Sequence, residues 1–336
     1  MKKVTITDIA QLADVSVSAV SRYINNSGSV SAAKREAIKK AIDESGYSFV
    51  KNIRVDNNVI GLLCSDLRDS VFHQKLLASL IHVADQMGKK IMVFSDTRVI
   101  TNRSLPDQIR SVMQSALEGL IIAGFNDARM SNENVQLLRS LSIPVILMER
   151  TGMCRQLSSI TFDNRAAMFE MVEYLQRIGH RDIGYIGCKA QTEVEVERNE
   201  GFVEALREYD LTLDNRRVVL QADYGVRLGM LAMEKILKSD CGVTAVITGA
   251  DSFAVGAIHA IREHGLHVPE DVSVIGMDDL YGELTFPSLS SMSFPLDRAA
   301  MSALSFFAER NQKKDDTPIH ISFVPQIMQR ESVQPL

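Results

Sequence analysis

The chain has 336 residues, 46% hydrophobic, 24% charged and 6% aromatic, which excludes a disordered, collagen-like or fibrous protein and leaves apolar mass for two or three domains. Cys64, Cys154, Cys188 and Cys241 are scattered with no C-x-x-C spacing, which argues against a disulfide framework or a zinc site. Residues 1–60 hold nine Lys/Arg against six Asp/Glu, a balance of +3, so the rest of the chain carries −8 of the total −5; a modestly basic head on an acidic body suits a head that meets a polyanion. No apolar leader follows Met1-Lys2-Lys3, and no run approaches the roughly 18 apolar residues of a membrane span, so a cytoplasmic protein is expected.

Three short helices are predicted in the first 46 residues. Thr5 with Asp8 forms a capping-box-like start, and Ile6, Ile9, Ala10 and Ala13 follow on one face. Asp14-Val15-Ser16 breaks that helix. Ser16 then caps a second one from Val17 to about Asn25, with Val20 and Ile24 inward. Ser31 caps a third, whose Ala37, Ile38, Ala41 and Ile42 point inward before Gly46. Such a trio is either a DNA-reading helix-turn-helix or an interaction module. In the first case Val17, Ser18 and Arg22 project from the second helix. Arg22 is suited to paired hydrogen bonds with guanine, Ser18 to several bases and Val17 to a thymine methyl.

The run Val4-Thr5-Ile6-Thr7-Asp8-Ile9-Ala10 through Val15-Ser16-Val17-Ser18-Ala19-Val20-Ser21-Arg22, with Asn25 and Val30-Ser31 after it, closely resembles the head of the lactose-repressor/galactose-repressor (LacI/GalR) family. The resemblance implies base reading by Val17, Ser18 and Arg22 within a DNA-facing set of Thr5, Ser16, Ser21, Asn25 and Ser31, with Ile53 and Arg54 from the linker. Asp14 stands where many members have glycine, and a left-handed turn tolerates aspartate. After Tyr47 the departure is larger. The family's hinge helix places a leucine wedge in the minor groove, and its position falls here on Asp56; a carboxylate beside phosphates is repelled from that role. Ile53 or Val55 in a shifted register, a less bent operator, or a plain tether are the readings left open.

From Val59 the pattern alternates between strand and helix. Strands are predicted at Val59–Cys64, Lys90–Phe94, Gly119–Ala123 and Pro144–Met148, with helices at Phe72–Met87, Asp107–Ala116 and Asn132–Leu141. A second series has strands at Asp182–Gly187, Arg217–Leu220, Val243–Thr248 and Val272–Gly276, with helices at Ala166–Ile178, Glu193–Tyr209, Val226–Lys238 and Ser252–Glu263. Two such series imply two parallel-sheet lobes with a ligand cleft at the carboxyl ends of their strands.

His180-Arg181-Asp182-Ile183-Gly184-Tyr185-Ile186-Gly187, Arg198-Asn199-Glu200-Gly201-Phe202, Val268 through Asp279, Pro287 through Ser291 and Arg330-Glu331-Ser332 resemble the effector domain of the same family. The implied fold class is an N-terminal all-α helix-turn-helix head plus an α/β two-lobed periplasmic-binding-protein-like (type I) effector domain. The expected divisions are a head at 1–47, a linker at 48–58 and a body at 59–332, with lobe one at about 59–160 and 292–323 and lobe two at about 161–291 and 324–332. The resemblance places effector contacts at Arg198, which opens a helix after a strand, and at Asp278, Tyr224, Phe162, Phe72 and Glu149. For Arg198 a surface ion pair, and for Asp278 a solvated turn, are the alternatives. Ala123, Ala250 and Phe294 stand where sugar-binding relatives often hold amides, while Arg150 beside Glu149, together with Arg198, leaves room for an anion.

No dinucleotide or phosphate-loop fingerprint, H-E-x-x-H or Gly-x-Ser-x-Gly is present, so no cofactor, metal or catalysis is expected. The expected protein is a transcriptional regulator, a repressor of carbohydrate genes, controlled by a sugar, sugar phosphate or sugar acid. One short helix reads too few base pairs to select a genomic site, so a homodimer on a pseudo-palindromic duplex is implied. No leucine heptad tail follows Ser332, which favours dimer over tetramer. A solute-binding protein or a sugar-processing enzyme on the same body are the rival readings.

Overall fold

The computed structural model describes residues 5–25, 30–45, 58–65, 67, 70–96, 105–112, 115–124, 132–149, 156–190, 192–313 and 316–336. It forms two compact units, Met1–Asp56 and Asn57–Leu336.

The first unit contains α1 (Ile6–Leu12), α2 (Val17–Asn25) and α3 (Ala32–Ser45). Thr5 and Asp8 close the expected capping box: the Asp8 carboxylate accepts from the Thr5 amide at 2.7 Å, and the Asp8 amide donates to the Thr5 hydroxyl at 3.3 Å. Asp14 turns the chain with φ 50°, the left-handed region that a short polar side chain tolerates. The Val15 amide then donates to the Ala10 carbonyl at 3.0 Å, and the Ser16 hydroxyl caps α2 by accepting from the Ala19 amide at 3.2 Å. Ile9, Ala10, Ala13, Val20, Ile38 and Ala41 make one small core, with Ala37 and Ile42 against it. Ile9, Val20 and Ile38 are wholly buried, each worth roughly 1.5–3 kcal/mol of transfer free energy.

The second unit holds two parallel sheets, each covered by helices. The first is built from β1 (Val59–Ser65), β2 (Lys90–Asp96), β3 (Gly119–Ala123), β4 (Val145–Met148), β5 (Ser158–Phe162) and β11 (His320–Phe323), in the order β11-β5-β4-β3-β1-β2. The second contains β6 (Ile183–Cys188), β7 (Val218–Gln221), β8 (Ala245–Thr248), β9 (Ser273–Met277), β10 (Ser290–Ser293) and β12 (Gln326–Met328), in the order β12-β10-β9-β8-β6-β7. All pairings among these are parallel except β10 with β12. β3, β4, β5, β6, β8 and β9 are buried along their whole length, as sheets covered on both faces require.

The intervening helices are α4 (Val71–Gln86), α5 (Leu105–Val112), α6 (Asn132–Arg139), α7 (Asn164–Arg177), α8 (Glu193–Glu208), α9 (Val226–Lys238), α10 (Asp251–Glu263) and α11 (Leu296–Lys313). The chain passes between the sheets three times: after β5, after β10 and between β11 and β12. α9 and α10 approach closely enough that a Cβ on Gly256 would lie 2.0 Å from the Val226 carbonyl oxygen. No helix among the described residues is long and apolar enough to cross a membrane.

β5, β10, β11, α11 and β12 are elements that the hydrophobic pattern did not pick out. β10 reads Ser290-Ser291-Met292-Ser293, and Ser290 and Ser291 are nevertheless wholly buried. Their polar atoms are satisfied internally: the Ser290 hydroxyl accepts from the Arg330 amide at 2.8 Å, and the Ser291 hydroxyl donates to Asp251 at 2.5 Å. Arg217, predicted to begin a strand, lies just before β7 in a short 3₁₀ turn; its guanidinium is buried against the Cys241 carbonyl and lies 2.8 Å from Asp182.

Candidate functional site

In both sheets the strand order reverses next to the first strand of the series, β1 or β6, and the crevice at the carboxyl ends of the strands is where such sheets receive ligands. Side chains converge there from both lobes. Glu149 follows β4, Phe162 ends β5, and Phe294 follows β10; Asp278 follows β9, Gly249 follows β8, and Arg198 comes from α8.

Arg198 is the sixth residue of α8, further into the helix than the predicted opening position, and it is buried, which removes the surface ion-pair alternative. Its guanidinium donates from Nε to the Asn164 side-chain oxygen at 2.9 Å and from one terminal nitrogen to the Gly249 carbonyl at 2.6 Å. The other terminal nitrogen donates to Asp278 at 3.3 Å. Burial is the largest influence on Arg198 and works against its charge, and Asp278 together with Tyr224, Tyr185 and Glu195 more than offsets it. For Asp278, burial pushes the carboxyl up, Arg198 pulls it back, and Glu149 adds to the rise. Asp278 is therefore no solvated turn residue.

On the first lobe, Glu149 adopts φ 68° and meets His73 Nε2 at 2.8 Å. Phe72, beside His73 on α4, packs edge-on to Phe162 (6.2 Å between centroids) and Phe294 (5.9 Å), and Phe162 and Phe294 lie 5.0 Å apart. The Arg198 guanidinium carbon lies 5.8 Å from the Phe294 ring centroid. These rings join the lobe-one wall to the Arg198–Asp278 pair. Phe294, marked in the sequence by a lost amide, contributes an aromatic face. Tyr224 leaves part of its ring exposed but turns its hydroxyl inward, donating to Glu195 at 2.9 Å, with the ring stacked on Phe253. Burial holds its phenol well above the ordinary 10, so it stays a donor.

Phe72, Glu149, Phe162, Arg198 and Asp278 thus form one connected cluster, and Tyr224 joins it through its electrostatic contact with Arg198. His73, Asn164 and Gly249 belong to it without having been singled out. Asn164 is the first residue of α7, behind the N-cap Asp163, and was missed because β5 before it was not picked out and the helix was expected to begin at Ala166. Gly249 contributes only backbone and left no signal. Arg150, invoked for an anion, lies outside the described residues.

In the first unit Val17, Ser18 and Arg22 are exposed on α2, as a reading helix needs. Arg22 Nε donates to the Ser18 carbonyl at 3.1 Å, and the Ser16 and Ser18 hydroxyls lie 3.0 Å apart. Ser31 is exposed, Ser21 half-buried and Thr5 engaged in its capping box. Asn25 ends α2, though its side chain, like Ile53 and Arg54 entirely, lies outside what the structure describes.

The chain is similar to known proteins over nearly its whole length. The profile "Bacterial regulatory proteins, lacI family" matches residues 5–48, and that of a periplasmic binding protein-like domain matches residues 172–333. The HTH-type transcriptional repressor PurR of Pectobacterium atrosepticum is 30% identical over 336 residues, covering 98% of this chain and 96% of that protein. Catabolite control protein A of Priestia megaterium is 27% identical over 299 residues, 87% of this chain and 88% of that one. A solved structure described as a complex of the transcriptional regulator CelR with cellobiose superposes with a TM-score of 0.70 at 25% identity, covering 98% of this chain and 99% of that one.

Proposed function

Because the chain belongs to the lacI family of bacterial regulatory proteins, whose members include helix-turn-helix transcriptional repressors, we propose that a small sugar-like molecule held by Arg198 and Asp278 sets how tightly its heads grip operator DNA. Residues 1–47 form the reading head, 48–58 the linker and 59–332 the effector-binding and dimerising body. Val17, Ser18 and Arg22 contact base edges, and Thr5, Ser16, Ser21, Asn25 and Ser31 face the duplex around them. Ile53 and Arg54 meet the minor groove, and Asp56 in place of a wedging leucine leaves the operator less bent. Two copies act together in the cytoplasm on a pseudo-palindrome, without catalysis.

The observation that carries this reading is the buried Arg198–Asp278 pair at the carboxyl ends of the strands, beside the Phe72, Phe162 and Phe294 rings. A guanidinium has five N–H donors, and three of those on Arg198 meet protein acceptors, so two are available to ligand hydroxyls. The rings suit the C–H face of a sugar. Glu149 is close enough to Asp278 to raise its carboxyl, so two carboxylates border the site, which favours hydroxyl-rich ligands over phosphates and acids. The cellobiose held by CelR supports the same class.

The test is a thermal-shift screen of the full-length protein against neutral sugars, sugar phosphates and sugar acids, followed by operator titration with any hit. At least one compound is expected to raise the melting temperature and change operator affinity by roughly 5- to 150-fold. Arg198→Ala abolishes both responses. Silence across the screen, or a normal response from Arg198→Ala, refutes the reading.

A further inference from the structure

Asp251, the first residue of α10, is wholly buried, yet its side chain makes no hydrogen bond with the cluster around Arg198 described above. One carboxylate oxygen accepts from two consecutive backbone amides, Leu280 at 2.5 Å and Tyr281 at 3.1 Å; the other accepts from the Ser291 hydroxyl at 2.5 Å. The space is shaped for it, since a Cβ on Gly276 would lie 2.2 Å from the second oxygen.

The segment that Asp251 grips has two jobs. Its first residue, Asp278, faces Arg198. Its second, Asp279, offers its carbonyl to the Lys75 ammonium at 2.8 Å, a contact from α4 of the first lobe to the second lobe. Asp278 and Asp279 stand at φ 97° and 50°, a left-handed stretch that non-glycine residues hold only when their surroundings impose it. Amides fixed by Asp251, the Asp279 amide on the Ser291 hydroxyl at 3.1 Å and the Arg330 guanidinium 2.8 Å from the Asp279 carboxylate supply that constraint.

We propose that Asp251 is a positioning residue which, by holding the 278–281 segment, ties the effector-facing Asp278 to the Lys75 contact between the lobes. Asp251 touches no effector itself. The inference rests on the proposed effector role of Arg198 and Asp278.

The charged groups around Asp251 give the device a pH dependence. Asp278 is its like-charged neighbour, Arg198 and Arg330 sit beyond the segment, and Ser291 and the two amides contact it directly. Burial first, and then Asp278, push its carboxyl from 3.8 up to about 7, while Ser291 and the amides oppose the rise. A folded-state value above the solvent-exposed one means that the closed segment binds the proton more tightly than an opened one. The resulting stabilisation is complete below the ordinary carboxylate range and is lost as the pH rises through about 7. When protonated, the carboxyl can donate to the Ser291 hydroxyl and still accept from the amides.

Amide hydrogen exchange of the full-length protein, read at Leu280 and Tyr281 and corrected for intrinsic rates, tests this without any ligand. In the native protein, protection falls between pH 6 and pH 8. In Asp251→Asn, which keeps an acceptor but cannot ionise, protection is retained and flat over that range. In Asp251→Ala exchange is roughly 10- to 100-fold faster at both pH values, the fold-change expected for leaving buried amides without their acceptor. Native-like pH dependence in Asp251→Asn, or unchanged exchange in Asp251→Ala, overturns the proposal. If Asp251→Ala fails to fold, the Asp251→Asn pH comparison decides alone. Failure of the sugar screen would sink the effector reading and leave these exchange results standing.

Discussion

The head and the body use their polar side chains in opposite ways. On α2, Val17, Ser18 and Arg22 are exposed and come from six consecutive residues, so a single helix sets their spacing and removing one disturbs little else. In the body, Arg198 bonds to residues 34, 51 and 80 positions away in sequence and is buried among them. A solvent-facing reader can vary with its target at small cost to folding, whereas a buried binding residue is also part of the structure that holds it.

Replacing Arg198 should show this contrast most strongly. Arg198→Ala leaves Asp278 buried without its cation, and breaking such a pair costs about 3–5 kcal/mol; chemical denaturation of the body should record a loss of that order together with loss of the effector response. A stability change below about 1 kcal/mol would mean that Asp278 re-solvates and that the pair is not structural. Arg22→Ala should do the reverse. It should cost about 1–3 kcal/mol of discrimination at one operator position, measured on duplexes selected from a random pool, with an unchanged melting temperature. Uniform weakening on all duplexes would instead assign Arg22 to phosphate contact. The smallest effect is expected at the start of α1, where Thr5→Ala removes the capping box and lowers head stability by roughly 1 kcal/mol. Body melting should not move, and if it does the two units do not unfold independently.

Much of the architecture was legible because helices and buried parallel strands declare themselves through local periodicity. α9 was expected at Val226–Lys238 and lies there, and the Thr5 and Ser16 caps form as their positions suggest. β10 was illegible for a physical reason: Ser290 and Ser291 are buried through hydrogen bonds to Asp251, Arg330 and Ser332, partners that no window of sequence contains. The same reason hid Asp251. It follows a strand end, as Asp278 does, but its chemistry depends on the amides of residues 280 and 281 being folded onto it.

The order of helices and most strands, the exposed face of the second helix and the types of residue at strand ends were set by the chain itself, because each depends on neighbours within a few positions. Which strand-end residues meet was decided only in three dimensions. Arg198 lies against Asp278, Glu149 against His73 and Asp251 beneath the 278–281 segment because, within each lobe, the segments that follow neighbouring parallel strands fold together at the carboxyl edge of the sheet. Charges and hydrogen bonds act over a few ångströms of space, and sequence separation carries no information about that distance.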